Sequence, residues 1–174
     1  DYVDFGDNDA YDVVGAYTVE AWYYLPTYAT AATNYIISKY DTVSTPNKSF
    51  TFFTSDTGIL KARLQLVSAG STLFTTTTAL PRNKWCHVVF TFTGTAVFVY
   101  LDSRLVYTTT FAADTIQVGA GNLTLGSATT GSVNAPTAQI ALARFWGSAL
   151  TTQQVEDLYF DNKVPSGAVM EALM

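Results

Sequence analysis

The fold class is decided by one stretch, Tyr17–Leu25, with the sequence YTVEAWYYL. Every second side chain from Tyr17 to Leu25 is apolar or aromatic, and this period of two is typical of a β-strand with one face in a core. Pro26 ends the strand because it has no amide hydrogen to donate to a central ladder. The stretch therefore predicts a β-strand that ends at Leu25.

The same alternation recurs along most of the chain and predicts about a dozen strands. Further strands are expected at 2–5, 35–40, 50–54, 59–67, 71–78, 86–93, 96–101, 105–110, 123–126 and 138–146. One helix is predicted after Thr151, which matches a capping box with Gln154. Val155, Leu158 and Tyr159 supply its apolar stripe. Two packed antiparallel sheets are the economical arrangement for so many strands, so we predict an all-β sandwich with one short C-terminal helix.

The chain has 174 residues, a length that suits a single domain. We divide it into a sandwich over residues 1–160 and a tail over 161–174, where Pro165 and Gly167 favour a linker or a docking segment. The chain begins at Asp1 and shows no signal peptide. We therefore expect a processed chain or one domain of a larger polypeptide or assembly.

Composition and charge exclude several classes of protein. Hydrophobic residues make up 48% of the chain and charged residues 13%, which excludes a disordered protein. The net charge of −5 argues against binding to nucleic acid, whose phosphates require a basic surface. No apolar run approaches the roughly 18 residues of a membrane span. The single cysteine, Cys86, excludes an internal disulfide.

Three stretches stand out by their order and spacing. The first is Asp1-Tyr2-Val3-Asp4-Phe5-Gly6 together with residues 17–22. The second is Leu80–Phe92, which contains the block Trp85-Cys86-His87-Val88. The third is Ile140–Trp146, followed by Ala149-Leu150-Thr151. Together they resemble the laminin-G-like jelly roll of the concanavalin A-like lectin/glucanase superfamily. The resemblance implies a concanavalin A-like jelly-roll sandwich. It also implies a non-catalytic module that binds glycans or proteins, in some members with calcium at a sheet edge.

Two departures from the family pattern bear on these expectations. The family often carries an Asp-Glu pair in its last long strand, where this chain has Ala141 and Leu142. Their apolar side chains weaken the case for a calcium site of the family type. The family also favours Asp-Gly at a hairpin turn where this chain has Asp102 and Ser103, so we expect a different or mildly strained turn.

The superfamily that the chain resembles includes glucanases, so glycoside hydrolysis has to be considered. A retaining hydrolase needs two carboxyl groups about 5–5.5 Å apart, and the glucanases of this fold carry them in a Glu-x-Asp-x-x-Glu or Glu-x-Asp-x-Glu strand. The chain has three glutamates, Glu20, Glu156 and Glu171, and none begins such a run. Cys86 and His87 are adjacent on one strand and point to opposite faces, so they do not form a nucleophile with its base. We therefore predict no catalytic residue and no enzyme.

Glu20 has two interpretations because it lies in the middle of a strand. It is either a metal-binding or catalytic carboxylate, or one partner of a structural ion pair with Arg144 in the last long strand. The first and last strands are neighbours in the fold that the chain resembles, and a buried charge is tolerated when it is paired. The ion pair is the favoured interpretation.

Asp7, Asn8, Asp9 and Asp12 form the densest group of carboxylate and amide oxygens in the chain. Calcium takes 6–8 oxygen ligands, which such a loop can supply. The alternative is an Asx turn in which these side chains accept hydrogen bonds from nearby amides. The turn is favoured, and the family resemblance keeps calcium as the one candidate cofactor; none is required.

Tyr28, Tyr40 and Asp41 are the candidate ligand-binding residues. The two tyrosines lie in or beside predicted loops, where sugar rings can stack on an aromatic face while a carboxylate binds the hydroxyl groups. For any single tyrosine, ordinary packing within the sandwich is the favoured alternative.

These observations lead to one main functional hypothesis and two alternatives. The chain is expected to be a non-catalytic recognition module, binding carbohydrate within a larger surface or virion protein. The first alternative is a structural, protein–protein domain of a virion or cell-surface assembly, and a glycoside hydrolase is the least favoured. The expected partners are a glycan or a surface protein, without nucleic acid or a membrane span. The expected location is extracellular, at a cell surface or at a virion surface.

Overall fold

The structure, a computed structural model, describes residues 2–27, 33–40, 48–128 and 138–173. Within these ranges the chain forms twelve β-strands, one α-helix and one 3-10 turn. The strands are β1 (Val3–Asp4), β2 (Tyr17–Tyr24), β3 (Asn34–Tyr40), β4 (Lys48–Thr54), β5 (Ile59–Leu66), β6 (Gly70–Ala79), β7 (Trp85–Phe92), β8 (Ala96–Leu101), β9 (Arg104–Thr110), β10 (Thr124–Leu125), β11 (Gln139–Trp146) and β12 (Ala168–Leu173). The helix is α1 (Thr152–Asp161), and the 3-10 turn is Asp9–Tyr11.

The described strands form two six-stranded sheets in which every neighbouring pair is antiparallel. The first sheet has the order β1-β10-β3-β4-β5-β6, and the second sheet has the order β12-β11-β2-β7-β8-β9. The predicted all-β, two-sheet jelly-roll sandwich with one short helix is confirmed. β2 lies between β7 and β11, so the first and the last long strands predicted from the sequence are neighbours.

The strand that indicated the fold, β2, is buried on both of its faces. Val19 and Ala21 point into the core between the sheets, and both are fully buried. Thr18 and Glu20 point to the outer face of the second sheet and are fully buried as well. The Thr18 hydroxyl accepts a hydrogen bond from the Leu150 amide just before α1, at 2.9 Å. The outer face of β2 is therefore covered by the segment that leads into the helix.

Aromatic rings from both sheets meet in the core. Phe50 on β4 stacks on Phe145 on β11, with ring centroids 5.4 Å apart and an angle of 4° between the planes. The Tyr17 ring on β2 lies 4.8 Å from Phe50 and 5.8 Å from Phe145. Aromatic pairs at these separations add to the free energy gained from apolar burial, so this cluster helps to hold the two sheets together.

The helix α1 begins at the capping box that the sequence predicts. The Thr151 hydroxyl accepts from the Gln154 amide at 3.2 Å, and the Gln154 side chain accepts from the Thr151 amide at 2.9 Å. Val155 and Leu158 face the second sheet and pack in a small apolar cluster that includes Trp146 on β11. The helix therefore covers the outer face of the second sheet. Within the described residues, no helix is both long enough and apolar enough to cross a membrane.

The tail does not leave the sandwich as a linker would. Its residues Ala168–Leu173 form β12, which pairs with β11 at the edge of the second sheet. Before this strand, the Pro165 carbonyl accepts a hydrogen bond from the indole nitrogen of Trp146 at 3.2 Å. Met170 points toward the core and is 6% exposed. The tail docks on its own domain because β11 has an open edge and the tail alternates in the way that a strand requires.

The turn between β8 and β9 places two residues with a Cβ in left-handed backbone conformations. Asp102 has φ 48° and Ser103 has φ 66°. Positive φ at both central residues is the geometry of a type I′ hairpin turn, which favours glycine. Ser103 therefore takes the position of the glycine that the family favours, and the chain still forms a tight two-residue turn.

We expect Ser103→Gly to raise the free energy of unfolding by about 0.5–1 kcal/mol. A left-handed residue with a Cβ costs roughly 1–2 kcal/mol, and the extra freedom of glycine in the unfolded chain offsets part of the gain. Urea unfolding measures the change. Ser103→Ala keeps the Cβ and is the matched control, expected to give no gain. Equal unfolding midpoints for the two variants would show that the turn is not strained.

Candidate functional site

Glu20 lies at the centre of a buried group of charges on the outer face of the second sheet. Its side chain is fully buried. On one side, Nε2 of His87 on β7 lies 2.9 Å from Glu20 Oε1. On the other side, Nη1 of Arg144 on β11 lies 3.3 Å from Glu20 Oε2. Arg144 Nε also donates to Glu171 Oε2 on β12, at 3.0 Å. The structure thus brings Glu20 and Arg144 together and adds two partners, His87 and Glu171.

Two aromatic rings pack against His87 within this group. The Trp22 and Tyr159 rings are stacked, with centroids 5.8 Å apart and an angle of 12° between the planes. The His87 ring lies 5.3 Å from Trp22 and 5.6 Å from Tyr159. Glu20, which is paired with His87, is fully buried, so its carboxylate has no contact with solvent. Its surroundings match those of a structural charge.

Cys86 and His87 lie on opposite faces of β7, as strand geometry requires. Cys86 packs in the core between the sheets, while His87 faces the rings outside the second sheet. Burial raises the pKa of the Cys86 thiol to about 11. A nucleophilic cysteine needs the opposite shift, toward the thiolate. These two residues therefore lack the contact of a nucleophile with its base, and the Cys86 thiol lacks the lowered pKa of a nucleophile.

The predicted calcium residues are arranged around a lysine. Lys39 on β3 is fully buried, and its ammonium lies 2.5 Å from Asp7 Oδ1 and 3.1 Å from Asp12 Oδ1. It also donates to the Gly121 carbonyl at 2.9 Å. These oxygens are of the kind that a calcium ion would bind. A calcium ion at Asp7 and Asp12 would have to displace the ammonium.

The other two residues of the predicted calcium loop have different roles. Asn8 accepts from the Ala10 amide at 2.9 Å and caps the 3-10 turn, as in the predicted Asx turn. Asp9 lies within that turn and is exposed. Across the described ranges, no group of three or more His, Cys, Asp and Glu side chains is arranged to hold a metal ion. Calcium binding by this loop stays a prediction.

Of the predicted ligand-binding residues, Tyr28 and Asp41 lie outside the described residues, and Tyr40 lies at the end of β3. The Tyr40 hydroxyl is 3.2 Å from the Ser71 hydroxyl on β6. Because β4 and β5 lie between these strands, the Tyr40 side chain crosses the outer face of the first sheet. Its ring is only 4% exposed, so it does not offer an open surface on which a sugar could stack.

A cleft of about 550 Å³ lies between the end of α1 and the β8–β9 hairpin, and we call it the helix-end cleft. It is lined by Thr78, Lys84, Leu101, Asp102, Arg104, Val106, Tyr159 and Phe160. Phe160 is the most exposed of its apolar side chains, at 71%. The cleft was not predicted from the sequence, because its residues come from separate strands, the hairpin turn and the helix. The exposed Phe160, beside the apolar stripe of α1, is the one local signal.

The hairpin turn fixes the polar groups of the cleft. Asp102 Oδ1 accepts from the His87 amide at 3.0 Å, and Oδ2 accepts from the Lys84 ammonium at 2.9 Å. The hydrogen bond to Asp102 raises the pKa of Lys84. Arg104 follows the turn and makes no ion pair with the described residues. The cleft therefore presents an oriented carboxylate, an ammonium and an unpaired guanidinium beside two aromatic rings.

We expect Glu20→Ala to lower the free energy of unfolding by about 3–5 kcal/mol. The substitution leaves the Arg144 guanidinium and the His87 ring buried without their carboxylate, and an uncompensated buried charge is strongly destabilising. Urea unfolding followed by circular dichroism measures the loss. Glu156→Ala, which removes a glutamate from α1, is the control and is expected to change stability by less than about 0.5 kcal/mol. Equal losses in both variants would contradict a structural role specific to Glu20.

We expect Lys39→Met to lower the free energy of unfolding by about 1–3 kcal/mol. The change removes the donor to Asp7 Oδ1 and to the Gly121 carbonyl, and the cation that pairs with Asp12. Thermal unfolding is measured with calcium and with a chelator, and Lys163→Met at an exposed site is the control. A variant as stable as the parent would contradict this role of Lys39. A rise in Tm with calcium in the parent protein would support the calcium site predicted from the sequence.

Comparison with solved structures places the fold among lectin-like sandwiches. The SAP-like pentraxin of Limulus polyphemus is 18% identical, with a TM-score of 0.63 over 94% of this chain and 83% of that chain. Domain 4 of an extracellular arabinanase from Geobacillus stearothermophilus, solved with arabinotriose, is 19% identical, with a TM-score of 0.63 over 91% of this chain and 72% of that one. At these identities the likeness shows the fold alone.

A third similar structure is much longer than this chain. It is botulinum neurotoxin type C, described as dependent on two ganglioside molecules for cell entry. The identity is 13% and the TM-score is 0.67, over 93% of this chain and 39% of that chain. This chain therefore spans well under half of the length of that solved chain. Comparison with curated protein sequences gives no match.

A family model for laminin G-type domains matches residues 1–156, which is most of the chain and includes β1 to β11 and the capping box of α1. The match agrees with the strand order and with the helix that covers the second sheet. The chain belongs to this laminin G-type family of the concanavalin A-like lectin/glucanases superfamily.

Proposed function

We propose that this domain is a non-catalytic carbohydrate-binding module and that the helix-end cleft is its binding site. The observation that carries the proposal is the composition of the cleft. Tyr159 and Phe160 border a space of about 550 Å³ that also contains the Asp102 carboxylate and the Arg104 guanidinium. This volume falls within the range of about 300–1,000 Å³ that is usual for small-ligand sites.

The chemistry of the cleft suits a sugar. The C–H faces of a pyranose or furanose ring are apolar and pack against aromatic side chains such as Phe160. The ring hydroxyls need acceptors and donors, which Asp102 and Arg104 supply. Asp102 is held by the His87 amide and by Lys84, so little side-chain freedom is lost when a ligand binds.

Two of the similar structures support a saccharide as the ligand class. Domain 4 of the arabinanase was solved with arabinotriose, and the neurotoxin depends on gangliosides. Both contain sandwiches of the same fold and carry a sugar in their described ligands. We propose an oligosaccharide for this chain on that likeness together with the residues of the cleft.

We further propose that the module works within a larger secreted or surface protein and attaches that protein to a glycan. The chain covers only part of the neurotoxin, where a domain of this fold is joined to further sequence. A module without catalytic groups is useful in such a protein because it concentrates the remaining domains near the glycan. A cell surface and a virion surface are both compatible with this role.

A second candidate function, assembly with another protein chain, is favoured by the outer edge of β12. This strand is the last in the order of the second sheet, and its Val169 and Leu173 side chains are 40% and 78% exposed. An edge strand with exposed apolar side chains can pair with a strand of another chain. Light scattering on the sample used for binding therefore accompanies the experiment on the cleft.

A glycan array followed by calorimetry on the best ligand tests the proposed function. We expect Phe160→Ala and Arg104→Ala each to weaken binding about tenfold or more, because each removes a main contact of the cleft. Val118→Ala is the control, since Val118 is 45% exposed and does not line the cleft. Both cleft variants are expected to keep the parent Tm.

Three results would contradict binding in the cleft. They are equal affinity in parent and cleft variants, an equal loss in Val118→Ala, and no binding to any glycan. The absence of binding together with an oligomer in light scattering would favour the assembly function of β12.

A further inference from the structure

Three cations are gathered on the outer face of the first sheet. Lys61 and Arg63 are two residues apart on β5, so they share a face and stand about 7 Å apart along the strand. The Arg63 guanidinium carbon lies 5.8 Å from the centre of the Tyr40 ring and 5.9 Å from that of Phe53. The Lys48 ammonium lies 5.7 Å from the same Tyr40 ring. Two positive charges therefore converge on one aromatic ring.

A cluster of cations without acidic partners is unexpected in a protein whose acidic side chains outnumber its basic ones. The chain has 14 acidic side chains and nine Lys and Arg side chains. On average, each basic side chain therefore has more than one acidic side chain with which it could form an ion pair. Lys39, Lys84, Arg144 and Lys163 are all engaged in ion pairs. Among the residues that the structure describes, the three cations of the outer face have no such carboxylate partner, a property that they share with Arg104 in the helix-end cleft. Like charges at this separation repel each other, and an external anion would relieve the repulsion.

Neutral hydrogen-bonding groups lie beside the cations. Thr75 on β6 is paired with Lys61 on β5. Thr75 is exposed, and directly opposed residues have Cβ atoms about 4.5–5.5 Å apart. The Tyr35 ring lies 5.9 Å from that of Phe53 and extends the aromatic part of the same face. The face thus combines cations, hydroxyl groups and aromatic rings.

We propose that this outer face of the first sheet is a second ligand site, which binds an acidic polysaccharide. Its carboxylate or sulfate groups would pair with Lys48, Lys61 and Arg63, and its hydroxyl groups would bond to side chains such as Thr75. Arg63 can form two parallel hydrogen bonds with a carboxylate or a sulfate. None of these residues belongs to the helix-end cleft, so the proposal does not depend on the proposed function.

Charge density favours a polysaccharide over a nucleic acid. Duplex DNA carries one negative charge per roughly 1.7 Å of its axis. A protein with net charge −5 and only three clustered cations would repel most of those charges. In an acidic polysaccharide the charges are separated by uncharged parts of sugar rings. Such a ligand can place single anions at the three cations without bringing an excess of negative charge to the protein.

The test uses matched pairs of polymers that differ only in charge. Polygalacturonate is compared with its methyl-esterified form, and dextran sulfate with dextran, so the two arms separate carboxylate from sulfate recognition. We expect binding of at least one charged polymer and none of its uncharged counterpart. The double variant Lys61→Gln/Arg63→Gln is expected to weaken it about tenfold or more, with a smaller dependence on salt.

Control variants distinguish binding at these three cations from nonspecific attraction of a polyanion to any positive charge on the protein. Lys163→Gln removes a positive charge from an exposed position just after α1, which packs on the second sheet, and is expected to leave affinity within about twofold. Lys61→Gln alone is measured as well, because Arg63 packs on two rings and its loss could disturb folding. Phe160→Ala, in the helix-end cleft, is expected to leave this binding unchanged.

Several outcomes would overturn the proposal. They are no binding of either charged polymer, equal binding of the uncharged forms, and a loss in Lys163→Gln as large as in Lys61→Gln. Equal affinity for a single-stranded DNA of similar length would also overturn it, since the face would then bind any polyanion. Each outcome is independent of whether Phe160→Ala abolishes binding of a neutral glycan in the cleft.

Discussion

The second sheet depends on the buried carboxylate of Glu20. A charge with no access to water is stable only when its partners are also held in place. Those partners come from both neighbouring strands, His87 on β7 and Arg144 on β11, and Arg144 reaches on to Glu171 on β12. Four adjacent strands are thus linked by one set of charges. A slip of β2 by one residue would turn Glu20 into the apolar core, so the charge also fixes the register.

Most of the fold could be predicted from local patterns, because alternation, turn residues and a capping box each act over a few residues. The neighbouring positions of Glu20 and Arg144 required more, since no local pattern shows which strands lie side by side. That expectation rested on the resemblance to a known fold. The strand formed by the tail was missed because Pro165 and Gly167 resemble a linker, and only the open edge of β11 explains why Ala168–Leu173 pairs there.

The sites were harder to predict than the strands, because they join residues that are distant in sequence. Lys39 alternates within β3 like any polar strand residue, and nothing nearby indicates that its ammonium reaches Asp7 and Asp12 in the segment between β1 and β2. The helix-end cleft brings together Asp102 from a hairpin turn and Phe160 from α1. Sequence reasoning identified aromatic residues as important, and it could not show which rings the fold would leave exposed.

The side chain of Tyr40 has a consequence for the shape of the first sheet. Backbone hydrogen bonds join adjacent strands only, so they do not fix the curvature of the sheet across several strands. In a flat sheet β3 and β6 would be about 14 Å apart, three spacings of roughly 4.8 Å. The Tyr40 hydroxyl nevertheless reaches Ser71 on β6. One side chain can span this gap only if the sheet is curved inward beneath it, so the contact indicates a first sheet that is concave toward solvent.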